Sequence, residues 1–588
     1  MRYGATPLAG GGVQFRVWAP DVRELVVRLG GKSFPMKRTG EDFEVLISDA
    51  RPGQTYSLVL DSVRERPDPV SRSQPEGVHG PSEIIDPDAF RWSDKAWRGL
   101  ALEEYVMYEL HTGTFTPEGT FEGVIGKIPY LKDLGITAIE LMPVAEFPGS
   151  RNWGYDGVDL FAPHSAYGGP DGLKKLVDAC HRAGLAVVLD VVYNHVGPEG
   201  NYLAEFGSYY TDHYRTPWGR AINFDGPGSD GVRQFVIDNA LYWLTEYHID
   251  ALRLDAIHSI YDLGSFPILA ELSERFHAQA AKLGRQAWLI AESDLNDVRV
   301  TQARSAGGLG LDAQWHDEFH HAVVGFLTRA DRGFLGGFGR LADIQKVLSE
   351  GFVYDGIYSH YRRRRFGTSS KDLAGKKFVV FNQNHDQIAN TNQGVRLSQL
   401  VSLGQFKVAA TLMLCSPYLP MLFMGEEFAE TAPFLYFTSH LDHALGQMVS
   451  EGRRREYAEF ATSADFFDPQ AAATFEKSKI TWALVEETKH RAVLDLYCRL
   501  IALRKRWPCL SNCRKDLTRV EIDEDRGLLR MERGDPGGSR AVLVCNFGEG
   551  SADFEWPGKA VLQTAAAVEG SVAGYSAVLF LATDGGGT

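Results

Sequence analysis

Short alternations of apolar and polar residues fill the first 90 positions. Val13-Gln14-Phe15-Arg16-Val17-Trp18 puts every second side chain on one face, and the stretches 24–29, 44–48 and 56–60 do the same. Turns such as Arg51-Pro52-Gly53 separate them. A period of two marks a strand with one buried face, and several short strands at this spacing predict a small β-sandwich over residues 1–90. A Pro- and Ser-rich connector, residues 66–81, leads out of it.

From about residue 100 the pattern changes to unbroken apolar runs separated by helical periodicity. The runs are 105–110, 138–144, 186–192, 251–256, 287–291, 311–315, 378–381 and 419–424. Between them, residues 171–184 place Leu173, Leu176, Val177 and Cys180 on one face and stop at Gly184. Residues 232–247 and 493–506 are further helix candidates, the last closed by Trp507-Pro508. Eight runs of this kind, each long enough for a strand buried on both faces, predict an α/β fold: a closed (β/α)₈ TIM barrel over 91–510. An open doubly wound sheet is the alternative, but no G-x-G-x-x-G follows the first strand. Residues 194–230 are too long and too polar for an ordinary βα loop and should form an excursion over the barrel mouth. Strand signals return after about 510, which predicts a C-terminal β domain over 511–588. No internal repeat is evident.

Composition narrows the function classes. The chain has 588 residues, 44% hydrophobic and 23% charged, which is globular rather than disordered or fibrous. A formal net charge of −15 gives no general attraction to nucleic acid or anionic lipid, so neither is expected as a partner. The one basic run, Arg362 to Arg365, reads as a solvated loop or helix end. No apolar stretch reaches the ~18 residues of a membrane span, and Met1 to Gly12 lacks a signal-peptide segment. The six cysteines lie without metal spacing, which predicts free thiols and a cytoplasmic location.

Barrels of this kind place their reacting groups where strands end. Those positions hold Asp190, Asp255, Glu292 and, in Asn384-His385-Asp386-Gln387, Asp386. Arg253 lies two residues before Asp255 on the same strand face, where its guanidinium can keep that carboxylate ionised. Glycosidic cleavage needs one ionised carboxylate to attack the anomeric carbon and a second, protonated one to give a proton to the leaving oxygen. Asp255 suits the first role. Glu292 follows the apolar strand Ala287-Trp288-Leu289-Ile290-Ala291 and suits the second, while Asp386 could bind hydroxyls and stabilise positive charge. Spacing alone does not separate a glycosidase from a metal hydrolase, but no H-x-H or H-E-x-x-H motif is present. The cluster His316, His320 and His321 reads better as a polar mouth loop than as a zinc site. No metal and no cofactor is expected.

Four blocks, residues 190–195, 250–258, 291–294 and 384–386, resemble in order and spacing the four signature regions of the α-amylase family, glycoside hydrolase family 13. Phe15-Arg16-Val17-Trp18-Ala19-Pro20 is similar to the opening of the sandwich domain in isoamylases and branching enzymes. The resemblance implies Asp255 as nucleophile, Glu292 as acid/base and Asp386 as stabiliser. It also implies that His195, Arg253, His258 and His385 line the subsite of cleavage and that Tyr155 stacks on the sugar ring before the scissile bond. Longer blocks, residues 77–82, 358–366, 378–387 and 424–440, are similar to the trehalose-releasing members of that family. These imply a retaining hydrolase of an α-1,4-glucan capped as trehalose, supplied by a synthase that builds the cap. The wall of the leaving-group pocket would come from 315–321, 358–366 and 434–437, which adds Asp317 and His321 as substrate-binding candidates, and Gln387, next to Asp386, is a third. Ala251 stands where many members of the family have glycine, so Asp250 carries over less firmly than Asp255. The excursion 194–230 is shorter than in many α-amylases, which argues against a structural calcium. A branching or debranching enzyme shares the barrel and carboxylates, although Asn384-His385-Asp386-Gln387 departs from the Ser-His-Asp-Glu usual in branching enzymes. A non-catalytic glucan-binding module is the rival of a different class, and three intact carboxylates argue against it.

Overall fold

The computed structural model describes residues 3–330, 333–390, 392–460, 466–566 and 568–583. The N-terminal strands form two facing antiparallel sheets. In one, Val13–Trp18 lies between Gly4–Pro7 and Asp42–Ile47; in the other, Leu25–Leu29 pairs with Thr55–Leu60. Alternation works as the chain pattern requires: Phe15, Val17 and Phe43 from the first sheet and Val27, Leu58 and Leu60 from the second are all buried between the layers. Phe15 meets Tyr56 edge to face at 4.9 Å.

Eight parallel strands close the central barrel in chain order. They are β1 (Met107–Leu110), β2 (Ala138–Leu141), β3 (Ala186–Val191), β4 (Ala251–Leu254), β5 (Trp288–Ala291), β6 (Ala313–Trp315), β7 (Phe378–Val380) and β8 (Leu419–Phe423). Closure comes where Met107 of β1 pairs with Met421 of β8. Each strand falls inside one of the eight apolar runs. The runs are longer because flanking residues such as Val106 and Met142 are buried as well, between the barrel and its helices. The expected helices are present as Gly169–Arg182, Ser229–Glu246 and Thr488–Arg506.

Two insertions shape the mouth. The loop after β2 carries a short pairing of Ala145–Glu146 with Asp159–Pro163 and delivers Tyr155. The excursion after β3 contains a hairpin, Tyr210–Thr216 against Gly219–Ile222, with Trp218 in its turn. The sandwich packs on this side of the barrel through Trp18, which meets Tyr209 at 5.2 Å. Gly231, in the first turn of the helix Ser229–Glu246, admits that indole: a Cβ there would lie 2.2 Å from it.

The C-terminal chain forms a five-stranded antiparallel sheet, in which Ser539–Asn546 pairs with both Leu528–Gly534 and Ser576–Thr583. Buried Arg533 ties it to the barrel by donating to the carbonyls of Cys415, Ser416 and Leu510 at 2.8 to 3.1 Å. All six cysteines are free. Among the described residues, no helix is long and apolar enough to cross a membrane.

Candidate active site

Arg253, on β4 and 1% exposed, is the centre of the mouth. Strand alternation turns it into the barrel, where its guanidinium lies 4.1 Å from the Trp315 ring centre. Its Nη1 donates to Asp255 at 2.7 Å and to Asp190 at 2.9 Å, and its Nη2 lies 2.9 Å from Glu292. One cation therefore gathers acids from the ends of three neighbouring strands.

Asp255 follows β4 directly. Besides Arg253 it accepts from Asn194 Nδ2 at 3.0 Å, so each carboxylate oxygen has one donor and keeps lone pairs free. Glu292 follows β5 and accepts from the Ala256 backbone N–H at 2.7 Å. Ala256 holds φ at +36°, a left-handed conformation rare for a residue with a side chain, in the turn that presents this N–H to Glu292. The apolar surroundings expected for Glu292 are not found. The apolar side chains of β5 are buried in the barrel wall, whereas the carboxylate beyond the strand end meets a guanidinium and a backbone donor.

Asp190 is buried, accepts the Tyr155 hydroxyl at 2.7 Å, and is pushed up to about 7 by desolvation. Asp386 stands in the first turn of the short helix His385–Ala389, half-buried, and receives Asn390 Nδ2 at 3.0 Å. Asn384 caps this helix by accepting from the Gln387 N–H at 2.8 Å, which fixes the direction of both Asp386 and Gln387.

The remaining candidates divide into those at the carboxylates and those away from them. His195 bonds the Tyr155 carbonyl at 3.0 Å, and burial lowers its pKa, so it stays neutral near pH 7. Tyr155 lies against His385 with ring centres 5.3 Å apart. His258 accepts the Asp294 N–H at 3.3 Å on the Glu292 side. Asp317 opens the helix Asp317–Thr328 and receives Gln387 Nε2 at 3.4 Å. Burial, then the acids Glu292, Asp294 and Asp386, hold its carboxyl well above the usual range. His321, four residues farther along, packs against Phe334 and Phe338 at 5.1 and 5.2 Å, and burial keeps it neutral. His316 and His320 diverge likewise, one toward Phe378 and the other onto the Asn382 carbonyl. Among the described residues, no group of His, Cys, Asp or Glu is arranged to hold a metal ion.

Sequence reasoning passed over several groups. Trp218 is half exposed and stacks on His195 at 4.4 Å with planes 6° apart. Nothing in the local pattern links residue 218 to residue 195. Arg362 leaves the basic run to pair with Asp294, 2.9 Å from Nη1, and lies over Phe366, while Arg363 to Arg365 are exposed as expected. Glu109 and Glu140 sit inside β1 and β2; an acid in an otherwise apolar buried strand is the signal that could have found them.

Comparison with known proteins agrees with this geometry. Residues 81–221 match the family described as alpha amylase, catalytic domain. A malto-oligosyltrehalose trehalohydrolase from Saccharolobus solfataricus is 48% identical over 94% of each chain. A solved protein from Salmonella typhimurium, described as a candidate alpha amylase, superposes with a TM-score of 0.92 at 38% identity over 99% of each chain. A 1,4-alpha-glucan branching enzyme from Pseudoalteromonas atlantica is more distant, 26% identical over 92% of this chain and 73% of its own.

Proposed function

Because this chain belongs to the malto-oligosyltrehalose trehalohydrolases, we propose that it is a retaining glycoside hydrolase acting on trehalose-capped malto-oligosaccharides. It cuts the α-1,4 bond next to the cap and releases trehalose and a malto-oligosaccharide. The observation that carries the chemistry is the single guanidinium of Arg253 shared by Asp255 and Glu292. One cation between them keeps the two acids at the same point of the mouth, where in the retaining reading one attacks and the other carries the proton.

In this reading Glu292 gives its proton to the glycosidic oxygen as Asp255 attacks the anomeric carbon. The C–O bond breaks, trehalose leaves with the proton, and a glycosyl–Asp255 ester remains. Glu292, now ionised, is held by the Ala256 N–H and Arg253. It then takes a proton from water as that water attacks the ester, freeing the malto-oligosaccharide and regenerating both acids. Asp386 stabilises the positive ring in both transition states. Tyr155, His195, Arg253, His258 and His385 line the cleaved subsite. Asp317, as a neutral carboxyl, can donate to a sugar hydroxyl as well as accept, with Gln387 beside it; His321 supports this wall through the aromatic rings it touches.

The sandwich, barrel and C-terminal sheet act as three units that meet near residues 90 and 510. The enzyme works in the cytoplasm, consistent with six free thiols, downstream of a synthase that forms the trehalose cap.

Product analysis with maltopentaose and a trehalose-capped malto-oligosaccharide tests this reading. Trehalose should leave the capped chain fast while the plain chain is cut slowly. Equal cleavage of both would make this a general α-glucan hydrolase, and branched or elongated products would make it a transferase.

A further inference from the structure

Glu109 and Glu140 have no part in the chemistry described above. They are register partners on β1 and β2, each 1% exposed. Neither oxygen of Glu140 has a hydrogen-bond partner among the described residues, and burial, reinforced by Glu109, holds its carboxyl far above the usual range. Glu140 is therefore neutral and makes no claim on neighbouring cations.

Glu109 is placed differently. Its Oε2 accepts the His385 backbone N–H at 3.1 Å, and its Oε1 lies 2.5 Å from His385 Nδ1. On the far side of the ring, Nε2 lies 2.9 Å from the Tyr155 hydroxyl oxygen. That hydroxyl spends its one proton on Asp190 at 2.7 Å, so toward His385 it can only accept. Both ring nitrogens of His385 thus face acceptors, an arrangement that suits a doubly protonated imidazole.

We infer that Glu109 is a positioning residue for the hydrolysis: its carboxylate holds His385 with both ring nitrogens as donors, so that Nε2–H is aimed at the sugar ring held beside Tyr155. A substrate hydroxyl replaces the Tyr155 oxygen as acceptor, and the hydrogen bond from a cationic donor strengthens as charge develops. The inference rests on the hydrolase reading and adds to it a residue two strands from Asp190, with no contact to substrate. The other groups facing His385 act in both directions. Asp386, its chain neighbour, supports the cation, whereas Arg253 opposes it. His111 is held neutral by its own burial and has a pKa lowered to about 4. The rings of Trp153 and Trp315 close the remaining sides at 5.3 and 6.1 Å.

The test follows the ring nitrogens of His385 by NMR in the full chain with labelled histidine, between about pH 5 and 8. Both should remain protonated through neutrality in the native protein. Glu109→Gln keeps the shape and removes the charge. His385 should then titrate inside that window, and kcat should fall about 10–100-fold, increasingly as pH rises, with KM changing less. Glu140→Gln should alter neither the titration nor the pH profile. A neutral His385 in the native protein at pH 7 would overturn the inference even if Glu109→Gln fails to fold. So would a Glu109→Gln profile parallel to the native one. Failure of the hydrolase reading would look different: no trehalose released by the native protein, whatever His385 does.

Discussion

Strand β4 carries an aspartate at each end, and the two are built for opposite purposes. Asp250, at the barrel bottom, accepts from Trp97 Nε1 at 2.7 Å, His181 Nε2 at 2.9 Å, the Val187 N–H at 2.9 Å and Arg285 Nη2 at 3.0 Å. Four donors fill the acceptor sites of a carboxylate. Asp255, at the mouth, has two, from Arg253 and Asn194. Residue type and strand are the same for both. What separates a structural acid from a reactive one is the number of lone pairs the fold leaves unused. The cations differ as well: at the bottom His181 is shared by Asp94 and Asp250, whereas at the mouth Arg253 serves three acids. A saturated carboxylate stabilises, and an undersupplied one is available for chemistry.

The sharpest way to break this comparison is to neutralise each aspartate in turn. Asp255→Asn should lower kcat by roughly 10⁴-fold or more with little change in Tm, because no nucleophile remains. Asp250→Asn should cost about 3–5 kcal/mol of stability by taking the acid from Arg285 and one of its two acids from buried His181, while the folded fraction keeps a near-native kcat. Thermal unfolding and active-site-normalised rates on the two variants decide it. If Asp255→Asn unfolds and Asp250→Asn inactivates, the roles are reversed.

Replacing Arg253 with lysine probes the shared cation. Lysine keeps one charge but loses the planar fork that spans Asp255, Asp190 and Glu292. A drop in kcat of about 10²–10³-fold is expected, and KM should move less. A near-native rate would mean that charge alone, rather than bidentate placement, orients the acids.

The bottom network should also leave a pH signature. The pKa of His181 is raised, burial opposing it but Asp250 and Asp94 prevailing; that of Asp250 is lowered chiefly by His181, and that of Asp94 by His181 and His248, in each case against desolvation. A raised histidine contributes stability that is fully present below its unfolded pKa of ~6.5 and is lost as pH climbs through the folded value. The lowered aspartates contribute stability that is present above ~4 and is lost on acidification. Their sum is greatest between about pH 4 and 6.5. His181→Asn should flatten the fall in Tm on the alkaline side of that window, and an unchanged slope would show that His181, Asp94 and Asp250 do not titrate as a unit.

How much of this was legible beforehand follows from what each feature depends on. The eight barrel strands could be read because a parallel strand buried on both faces must be apolar throughout. The acids at strand ends could be read because a barrel offers reacting groups only there. Partnership across strands could not. That Glu292 meets Arg253 follows from closure of β4 beside β5, and the run Ala287 to Ala291 suggested an apolar pocket instead. The hairpin at 210–222 is polar on both faces, so alternation gave no strand signal there. Asp317 and His321 lie on one helix with the same pattern around them, yet the first faces Gln387 and the second two phenylalanines.

The smallest expected effect concerns the hairpin turn. Trp218 is half exposed, so removing it takes little from the core, and its stacking on His195 belongs to the class of aromatic contacts that contribute about 0.5–1.5 kcal/mol. His195 is already fixed on its other edges by Asn194 and the Tyr155 carbonyl, so the ring should hold its place without the indole. What Trp218→Ala removes is an apolar face at the mouth, available to a sugar ring entering beside Tyr155. A KM rise of about 2–10-fold for the capped substrate, with kcat and Tm nearly unchanged, is the expected outcome in steady-state kinetics. A fall in kcat with KM intact would instead make Trp218 a support for His195 and extend the tightly held part of the mouth out to the excursion.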